Sequence, residues 1–353
     1  MNAPVNAGEV VREVDFGDAQ DARRIEGFVA EAGASLFHRP AWLQAVAVGT
    51  GQRAAGLISE RMGVVTGWLP LTEVRSPLFG KALVSSGFGV GGGIVADSPE
   101  TTNALARQAE TYASQHGFSG IEFRGGPIPA GWDNWSDKHC GFERPLAEDD
   151  ETELLAIPRK ARAEVRKGLG LGHRITVGRG RDDRAAHYAC YSESVRNLGT
   201  PVFPKRLFAA MLEAFPDSSD ILTVWQGESP LASVLSFYHD GAVLPFWGGG
   251  SNAARPARAN ELMYYELMLH ARRQGMTRFD FGRSKTGSGP FAFKKNWGFD
   301  PVPLTYGAWT DGDAPKRNID PTDASYSRKI ELWKKLPLPI ANTLGPWIAR
   351  GLA

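Results

Sequence analysis

The sequence contains little cysteine and no long apolar run. Cys140 and Cys190 are the two cysteines among 353 residues. They lack the paired spacing of a zinc site or a disulfide framework, which fits a reducing compartment. No window approaches the roughly twenty apolar residues of a membrane-spanning helix, and residues 1–10 lack the basic start and apolar core of a secretory signal. These absences predict a cytosolic protein.

The sequence also lacks a strong charge of either sign. Forty basic and 39 acidic residues leave a net charge of +1, so any site for a polyanion must be a local patch. Global charge therefore leaves a nucleic-acid partner open. The apolar fraction of 42% is enough for packed cores, and 353 residues favour about two domains.

Several catalytic motifs are missing. Neither G-x-x-x-x-G-K-[ST] nor G-x-G-x-x-G follows a first strand, which disfavours an NTPase or a dinucleotide-binding enzyme. No G-x-S-x-G motif occurs, and the seven histidines do not have the spacing of metal ligands. Serine-hydrolase and metallohydrolase chemistry are therefore disfavoured. We expect no metal and no cofactor.

The chain does contain an internal repeat of mixed α/β character. Each half predicts, in the same order, a strand, a helix, a hairpin, a strand followed by glycines, a second helix and a short strand. Ile121-Glu122-Phe123 precedes Phe279-Asp280-Phe281 by 158 residues, and Gly141-Phe142-Glu143 precedes Gly298-Phe299-Asp300 by 157. We therefore predict a tandem duplication of one α/β unit. The alternative is two unrelated α/β domains that share common helix-ending glycines.

The repeat and the composition together predict the domain boundaries. The first domain covers residues 1–150, and the second, with a basic helix at its start, covers residues 151–312. Few apolar residues lie between Trp309 and Ile330, so residues 313–353 are interpreted as a linker and a C-terminal tail. The tail mixes Trp, Leu and Ile with Lys and Arg, which is compatible with peripheral membrane contact. Its three prolines argue against one continuous amphipathic helix, and packing on the protein body is the alternative.

A short basic helix is predicted over residues 158–168, between the halves. Arg159, Arg162 and Arg166 recur at i, i+3 and i+7, which places them on one side of the helix, and Lys167 follows them. Guanidinium groups match phosphate because they present a fork of donors and remain charged. These residues are therefore candidates for binding a phosphate-bearing substrate, and the alternative is a solvated linker helix.

The leading candidate for an active site is residues 278–299. Asp280 lies in a predicted strand between two phenylalanines, so its side chain points away from theirs. It is a candidate to orient an attacking amine or accept its proton, or else a structural acid neutralised by a nearby cation. Lys294 and Lys295 would diverge in a strand or turn. Lys294, beside Phe293, is the better candidate to stabilise negative charge on an acyl or phosphoryl oxygen.

Comparison of the two halves favours the cations after Asp280, rather than Asp280 itself, as candidates for the active site. Arg124-Gly125-Gly126-Pro127 stands in the first half where Gly282-Arg283-Ser284-Lys285 stands in the second. Because the strand pattern is shared, it is weak evidence for catalysis. Arg283, Lys285 and Lys294 distinguish the second copy, and we assign Arg283 to catalysis and Lys285 to substrate binding.

Two further residues are candidates for substrate binding. Trp247 precedes Gly248-Gly249-Gly250, which is predicted as a loop where an extended ligand can approach backbone amides. Arg196 lies at the end of a predicted helix beside a turn, although helix capping accounts for most of that pattern.

These residues resemble the FemAB-like family. The resemblance rests on the tandem halves, the entry Phe37-His38-Arg39-Pro40-Ala41-Trp42, the basic helix, and the runs at 279–282 and 293–298. The runs at 194–203 and 281–285 are similar to the subgroup associated with exosortase and PEP-CTERM protein sorting in Gram-negative bacteria. The resemblance covers nearly the whole chain to about Trp309.

The resemblance implies two GNAT-type domains, which have the acyl-CoA N-acyltransferase fold. It also implies transfer of an aminoacyl group from aminoacyl-tRNA, or of another acyl group, to an amine of a cell-envelope precursor. The basic helix would then lie near the phosphate-bearing substrate or tRNA, and Lys294 on the Phe-Lys-x-x-aromatic-Gly motif that lines the acceptor site. The coenzyme A loop R/Q-x-x-G-x-G/A is absent, as is the helical-hairpin insertion that holds tRNA in some members.

The partners implied are therefore a cell-envelope or polysaccharide-linked substrate and, as an open alternative, aminoacyl-tRNA. No DNA partner is expected. The expected location is the cytoplasm, with the inner face of the membrane as the alternative. Competing functions are a non-catalytic binding or assembly factor of the same system and an acyl-CoA-dependent N-acetyltransferase.

Overall fold

The computed structural model describes residues 8–312, 314 and 324–352, with the side chains of all but residues 324–327. The linker predicted after residue 312 lies mostly outside the described residues. The chain divides into two compact units. The first unit contains Met1–Ser136, Thr305–Ile319 and Arg350–Ala353, and the second contains Asp137–Leu304 and Asp320–Ala349.

The first unit is a sheet with three helices. Its elements are β1 Val10–Glu13, α1 Ala19–Glu31, a 3₁₀ turn Leu36–His38, α2 Pro40–Thr50, β2 Arg53–Arg61, β3 Val64–Ser76, β4 Gly80–Ser85, β5 Val95–Ala96, α3 Pro99–Gln115, β6 Gly120–Phe123, β7 Asp133–Trp135 and, from much later in the chain, β16 Tyr306–Thr310.

The second unit repeats this plan and adds helices. Its elements are β8 His139–Pro145, α4 Asp150–Ala156, α5 Arg159–Leu169, β9 Arg174–Gly178, α6 Arg181–Leu198, α7 Lys205–Ala214, β10 Ser219–Gln226, β11 Ser229–His239, β12 Ala242–Gly250, a 3₁₀ turn Asn252–Ala254, α8 Ala259–Arg273, β13 Arg278–Asp280, β14 Ser284–Lys285, α9 Gly289–Asn296, β15 Pro301–Pro303, α10 Ala324–Lys334 and α11 Leu338–Ala349.

Local sequence explains where the helices of the first unit begin and end. The Asp18 carboxylate accepts the N–H of Gln20 at the start of α1, and the Ser98 hydroxyl accepts the N–H of Thr101 at the start of α3. Gly117 follows α3 with φ +70°, a left-handed conformation that glycine adopts without strain. The sequence predicts Ser98 as the N-cap and Gly117 as the end of α3, and both are confirmed.

The two sheets have the same order of strands. The first runs β1-β2-β3-β4-β6-β16-β7 and the second β9-β10-β11-β12-β13-β8-β14, with β5 on β3 and β15 on β8. In each sheet the fourth and fifth strands are parallel, β4 with β6 and β12 with β13, and the other pairs are antiparallel. The correspondence at every position confirms the tandem duplication of a mixed α/β unit.

The sixth position of each sheet is filled from the other half of the sequence. β8 follows the first repeat but pairs with β13, with Asp280 opposite Glu143. β16 follows the second repeat but pairs with β6, with Ala308 opposite Glu122. The compact units therefore differ from the predicted ranges 1–150 and 151–312, because hydrogen bonding places each strand in the sheet of the other half.

A helix packs on each sheet to form the core. In the first unit the predicted stripe of α3, including Leu105 and Ala109, is fully buried against sheet residues such as Leu83. In the second unit Met263 and Leu267 of α8 are fully buried and pack with strand residues in one cluster. The sequence predicts an apolar stripe with Leu105 and Ala109 on α3 and one with Met263 and Leu267 on α8, and both are confirmed.

The second unit also departs from the sequence predictions. The sequence predicts Asn260 as the cap of α8, but the helix begins at Ala259, after Arg258, whose φ is +54°. Residues 289–296 form α9 rather than a strand or turn, since the Ser288 hydroxyl caps the helix and Pro290 occupies its first turn.

The C-terminal tail forms two helices, α10 and α11, rather than one. Residues 335–337 separate them, as the prolines predict, although Pro346 lies within α11. Within the part of the chain that the structure describes, no helix is both long and apolar enough to cross a membrane.

Candidate functional site

Asp280 ends β13, at the point where the chain leaves the sheet. Gly282 follows with φ +68°, and its N–H donates to Asp280 Oδ1 at 2.8 Å. Burial raises the pKa of the Asp280 carboxyl, and the negative charge of Glu143 adds to this. The Gly282 hydrogen bond and the charge of Lys294 act in the opposite direction. The site therefore holds a desolvated carboxyl whose pKa lies above its ordinary value.

Helix α9 brings Lys294 onto the turn after β13. Lys294 is 9% exposed, and its Nζ donates to the carbonyl oxygens of Gly282 at 3.1 Å and Arg283 at 2.9 Å. Lys295 is exposed, which confirms that only one of the two lysines enters the interior. Lys294 thus fixes the backbone that carries Arg283.

The Lys294 ammonium lies in an aromatic setting. Its Nζ is 5.4 Å from the ring centroids of both Phe142 and Phe281, within the range of cation–π attraction. Burial lowers the pKa of Lys294 to about 8; Asp280 partly offsets this, and the Arg283 charge reinforces it. Such an amine can exchange a proton near neutral pH, which an ordinary lysine does not do readily.

Arg283 and Lys285 lie on either side of a buried residue. β14 pairs with β8, with Ser284 opposite Cys140 and Lys285 opposite His139. Ser284 is buried, whereas Arg283 and Lys285 are half-buried. The two cations therefore flank a buried residue and both remain partly accessible.

The basic helix α5 lies against the end of α9. Ala161 and Val165 are buried, as predicted. A Cβ at Gly298, just after α9, would lie 3.2 Å from Pro158, the residue before α5. This contact brings the start of α5, with exposed Arg159, to the same end of α9.

Two of the four predicted basic residues of α5 have local partners. Arg162 donates to the carbonyl oxygen of Leu155 at 3.0 Å, and Lys167 pairs with Glu164 at 2.7 Å. Arg159 and Arg166 are exposed. Phosphate binding by this helix stays a prediction, and its most accessible members are these two arginines.

Trp247 and Arg196 lie elsewhere in the second unit. Trp247 is 4% exposed, with its ring 4.8 Å from Phe246 and 5.3 Å from Phe208, measured between centroids. Arg196 donates to the carbonyl oxygens of Lys334 and Leu336 at 3.2 and 3.5 Å, so it holds the tail. Their predicted substrate-binding roles stay untested, and neither is grouped with Lys294.

The predicted glycine loop is part of a strand. Gly248, Gly249 and Gly250 belong to β12 and pair with β11. A Cβ at Gly249 would lie 2.5 Å from the Ser194 side chain on α6, and one at Gly250 would overlap the Asn260 amide. The loop prediction was therefore wrong, because these glycines permit close packing of helices on the strand.

Sequence reasoning missed Tyr264. This half-buried residue of α8 places its ring 4.7 Å from Phe281 and 5.8 Å from Phe293. A Cβ at Gly248 would lie 3.2 Å from its hydroxyl, and burial raises its pKa to about 12. Among the described residues the hydroxyl has no hydrogen-bond partner, so it is open to a ligand. Its signal in the sequence is weak, since it adjoins the apolar stripe at Met263.

β12 bulges close to where it separates from β13. It pairs with β13 over Ala242 and Val243, and an extra residue, Phe246, enters between its pairs with β11. A bulge next to the end of a parallel pair leaves strand backbone available to a ligand. Tyr264, Phe281 and Lys294 lie around the end of β13.

The second unit also has a cavity whose lining includes none of the predicted site residues. It has a volume of about 410 Å³ and includes Asp220, Tyr238 and His270 in its lining. Tyr238 donates to Asp220 at 2.9 Å, and His270 Nε2 lies 2.8 Å from the same carboxylate. Among the residues described, no group of three His, Cys, Asp or Glu side chains could hold a metal ion.

Comparison with known proteins identifies the fold of the second unit. Residues 158–295 match the model of the acetyltransferase (GNAT) domain. This range contains α5, β12, β13 and Lys294. Among curated proteins, none is significantly similar to this chain.

Solved structures extend the similarity to nearly the whole chain. FemX is 16% identical over 84% of this chain and 96% of its own, with a TM-score of 0.64. The C-terminal domain of a putative lysylphosphatidylglycerol synthetase from Agrobacterium fabrum is 16% identical over 84% and 93%, with a TM-score of 0.55. A tandem GNAT protein from the clavulanic acid biosynthesis pathway is 10% identical over 87% and 100%, with a TM-score of 0.57. The chain therefore has the fold of a tandem GNAT protein.

Proposed function

We propose that the protein transfers an aminoacyl group, or another acyl group, to an amine on a cell-envelope or exopolysaccharide-related acceptor. The observation that carries this proposal is the cluster of Asp280, Lys294 and Tyr264 around the end of β13, inside the range that matches the GNAT domain. The names of two structural neighbours, FemX and lysylphosphatidylglycerol synthetase, favour an aminoacyl group. The exosortase setting rests on the runs at 194–203 and 281–285 alone.

The proposed reaction is attack of an amine on an acyl ester. The nitrogen forms a bond to the carbonyl carbon, the carbon–oxygen bond of the ester breaks, and the proton of the amine goes to a base while the leaving oxygen gains one. A group whose pKa lies near the working pH is suited to such proton transfer. Lys294, with a pKa of about 8, meets this condition, and Asp280 lies close enough to influence that pKa.

Tyr264 and Arg283 would stabilise the developing oxyanion. A neutral hydroxyl with a pKa of about 12 remains a donor throughout the reaction. The guanidinium of Arg283 presents a planar fork of donors, and Lys294 fixes its backbone. Preorganised donors of this kind commonly contribute the largest share of the rate in acyl transfer.

The exposed arginines of α5, Arg159 and Arg166, would bind the phosphate of the acceptor precursor or of aminoacyl-tRNA. Their positions at the helix that adjoins the end of α9 support this role. Charge reversal at both should weaken binding of a phosphate-bearing ligand. Unchanged affinity for that ligand would mean that α5 is a solvated surface helix with no role in binding.

A second candidate function is acyl-CoA-dependent N-acetylation, which the description of the GNAT domain favours. The missing coenzyme A loop and the close packing at Gly249 and Gly250 count against it. Scanning fluorimetry with acyl-CoA, nucleotide-sugar precursors and aminoacyl-tRNA separates the candidates. Stabilisation by acyl-CoA alone supports acetylation, and stabilisation by a precursor or aminoacyl-tRNA supports the proposed transfer.

The decisive experiment is a mass-spectrometric comparison of cell-envelope fractions from cells with and without the protein. We expect an acylated amine that depends on the protein and is reduced at least about tenfold by Asp280→Asn. The asparagine oxygen can still accept the Gly282 N–H, so this variant keeps the turn while removing the carboxylate. Lys295→Ala, beside the site but exposed, is the matched control. A product unaffected by Asp280→Asn and Lys294→Ala would refute the catalytic assignment.

A further inference from the structure

Helix α11 packs on the second unit through its small residues. Ala341, Gly345 and Ala349 are buried. A Cβ at Gly345 would lie 3.0 Å from Val202, and Asn342 Nδ2 donates to Ser192 Oγ at 3.3 Å. The spacing of four residues places the small side chains on one face, which allows the helix to approach the protein closely.

Three large apolar side chains of α11 face solvent, while Leu338 and Ile348 are half-buried. Ile340, Leu344 and Trp347 are 47%, 45% and 49% exposed, and their spacing of i, i+4 and i+7 places them on one side of the helix. We call these three residues the tail apolar face. A helix that only covered the protein would bury its largest apolar residues and expose its small ones. The reverse arrangement indicates that this face has an external partner.

The tail that contains this apolar face is mainly basic. Residues 324–352 contain five Lys or Arg and one acid, Glu331, for a net charge of +4. The rest of the chain has 35 basic and 38 acidic residues, for a net charge of −3. On the α10 side Leu332 is 67% exposed, and Arg328 and Lys335 are exposed at the spacing that places them beside it. Helix α11 itself contains no charged residue.

We propose that α10 and α11 bind the surface of an anionic lipid membrane. Exposed Leu, Ile and Trp beside several cations are the combination that favours the headgroup region of such a bilayer. A second copy of the tail would bring the same positive charge and repel it. With 12 residues, α11 is about 18 Å long, so it would lie in the interface rather than span the bilayer. The proposal does not depend on the catalytic assignment.

Vesicle flotation of the full chain tests this proposal. We expect binding to phosphatidylcholine vesicles that contain roughly 30% phosphatidylglycerol, and much weaker binding to phosphatidylcholine alone or in high salt. The double variant Leu344→Ser with Trp347→Ser should weaken binding at least about tenfold, because both side chains would lose their burial in lipid. Lys335→Glu should weaken it less.

The matched control is Leu155→Ser, which changes a leucine of α4 that is 52% exposed. It should bind vesicles like the unmodified protein. All variants change exposed side chains, so their melting temperatures should stay the same, and this measurement separates lost binding from lost folding. Light scattering gives the state of association.

Three results would overturn the proposal. The first is no binding to the anionic vesicles, and the second is equal binding by the double variant. The third is a dimer that the double variant converts to a monomer, because the tail apolar face would then contact a second copy. Vesicle binding without any acylated product in cells would leave this proposal intact and refute the proposed function.

Discussion

The two units differ most at the end of their parallel strand pairs. In the first unit β4 and β6 end beside a run of glycines, and Gly91 donates from its N–H to the carbonyl oxygen of Arg124 at 2.8 Å. A Cβ at Gly93 would overlap the carbonyl oxygen of Gly125. Backbone packed directly on backbone therefore closes this position.

In the second unit a side chain holds the corresponding position. Lys294 reaches the turn after β13 from α9, and it donates to the carbonyl oxygens of Gly282 and Arg283. The first unit has a cation here as well, since Arg124 is 7% exposed and lies 3.8 Å from Glu122. However, Arg124 comes from the same segment as Glu122, whereas Lys294 comes from a separate helix.

Because of this difference, the cation of the first unit is interpreted as structural and that of the second unit as a candidate for catalysis. An arginine stays charged at any working pH, so the first unit has a permanent ion pair. The Lys294 ammonium has a pKa of about 8 and can change its charge near neutral pH. The duplicated fold has thus kept an acid and a cation at the same place, and only the second unit makes the cation titratable.

The test of the two units with the largest expected effect removes β8. A fragment of residues 151–353 lacks this strand, so β14 and β15 lose their partner and β13 keeps only its pairing with β12. Because this loss removes the buried Phe142 and a central strand, we expect it to exceed about 5 kcal/mol and to abolish cooperative unfolding. The matched fragment 137–353 should unfold cooperatively in urea, followed by circular dichroism. Equal transitions for both would show that β8 is not part of the second unit.

The next test concerns the backbone contact in the first unit. Gly93→Ala forces a Cβ onto the Gly125 carbonyl at φ +130°, and we expect a loss of at least about 3 kcal/mol in the free energy of unfolding. Gly91→Ala, with φ +81° and open space around its Cβ, should cost about 1 kcal/mol. Urea denaturation measures both, and similar losses would argue against the backbone contact.

Lys294→Ala tests the side-chain arrangement in the second unit. It removes the donor for two carbonyl oxygens and buried aliphatic volume, so we expect a loss of about 2 to 4 kcal/mol. Exposed Lys295→Ala should change the free energy of unfolding by less than about 0.5 kcal/mol. A Lys294→Ala protein as stable as the control would mean that the turn after β13 does not need the hydrogen bonds of Lys294.

The smallest effect is a pH dependence from Lys294. The pKa of this group is lowered from 10.5 to about 8 in the folded protein. Between these values the unfolded chain binds more protons, so the free energy of unfolding gains a component that rises with pH. We expect a difference of up to about 3 kcal/mol between the unmodified protein and Lys294→Ala across this interval. Parallel pH profiles for the two proteins would contradict the lowered pKa.

Local signals in the sequence predicted most of the elements but not all their partners. Ser98 and Gly117 identify the ends of α3, and the repeated pattern of an apolar residue, an acid and Phe identifies β6 and β13, because these features depend on neighbouring residues. The exchange of β8 and β16 could not be predicted, since their sequences fit the same position in either sheet. Only long-range pairing decides which sheet each strand joins.

The site was predicted in part for the same reason. Choosing Lys294 over Lys295 needed only the flanking aromatic residues, and Ser288 before Pro290 could have predicted α9. The contact between Tyr264 and Phe281 depends on how α8 packs on the sheet, and no local sequence pattern predicts that packing. The types of Trp247 and Arg196 suit ligand binding, and their predicted roles stay untested, but Trp247 packs in an aromatic cluster and Arg196 contacts the tail.

The exchange of strands has a consequence for how the chain folds during synthesis. β6 pairs with β16, so residues 120–123 cannot form this pairing until residues 306–310 have been synthesised. Since a ribosome delivers the chain from its N-terminus, the first sheet stays incomplete until about nine-tenths of the chain has emerged. Until then the edge of β6 is open to wrong pairing, including with β8, the neighbouring strand of the same repeat. The order of synthesis therefore favours a misfolded pairing that the finished protein must avoid.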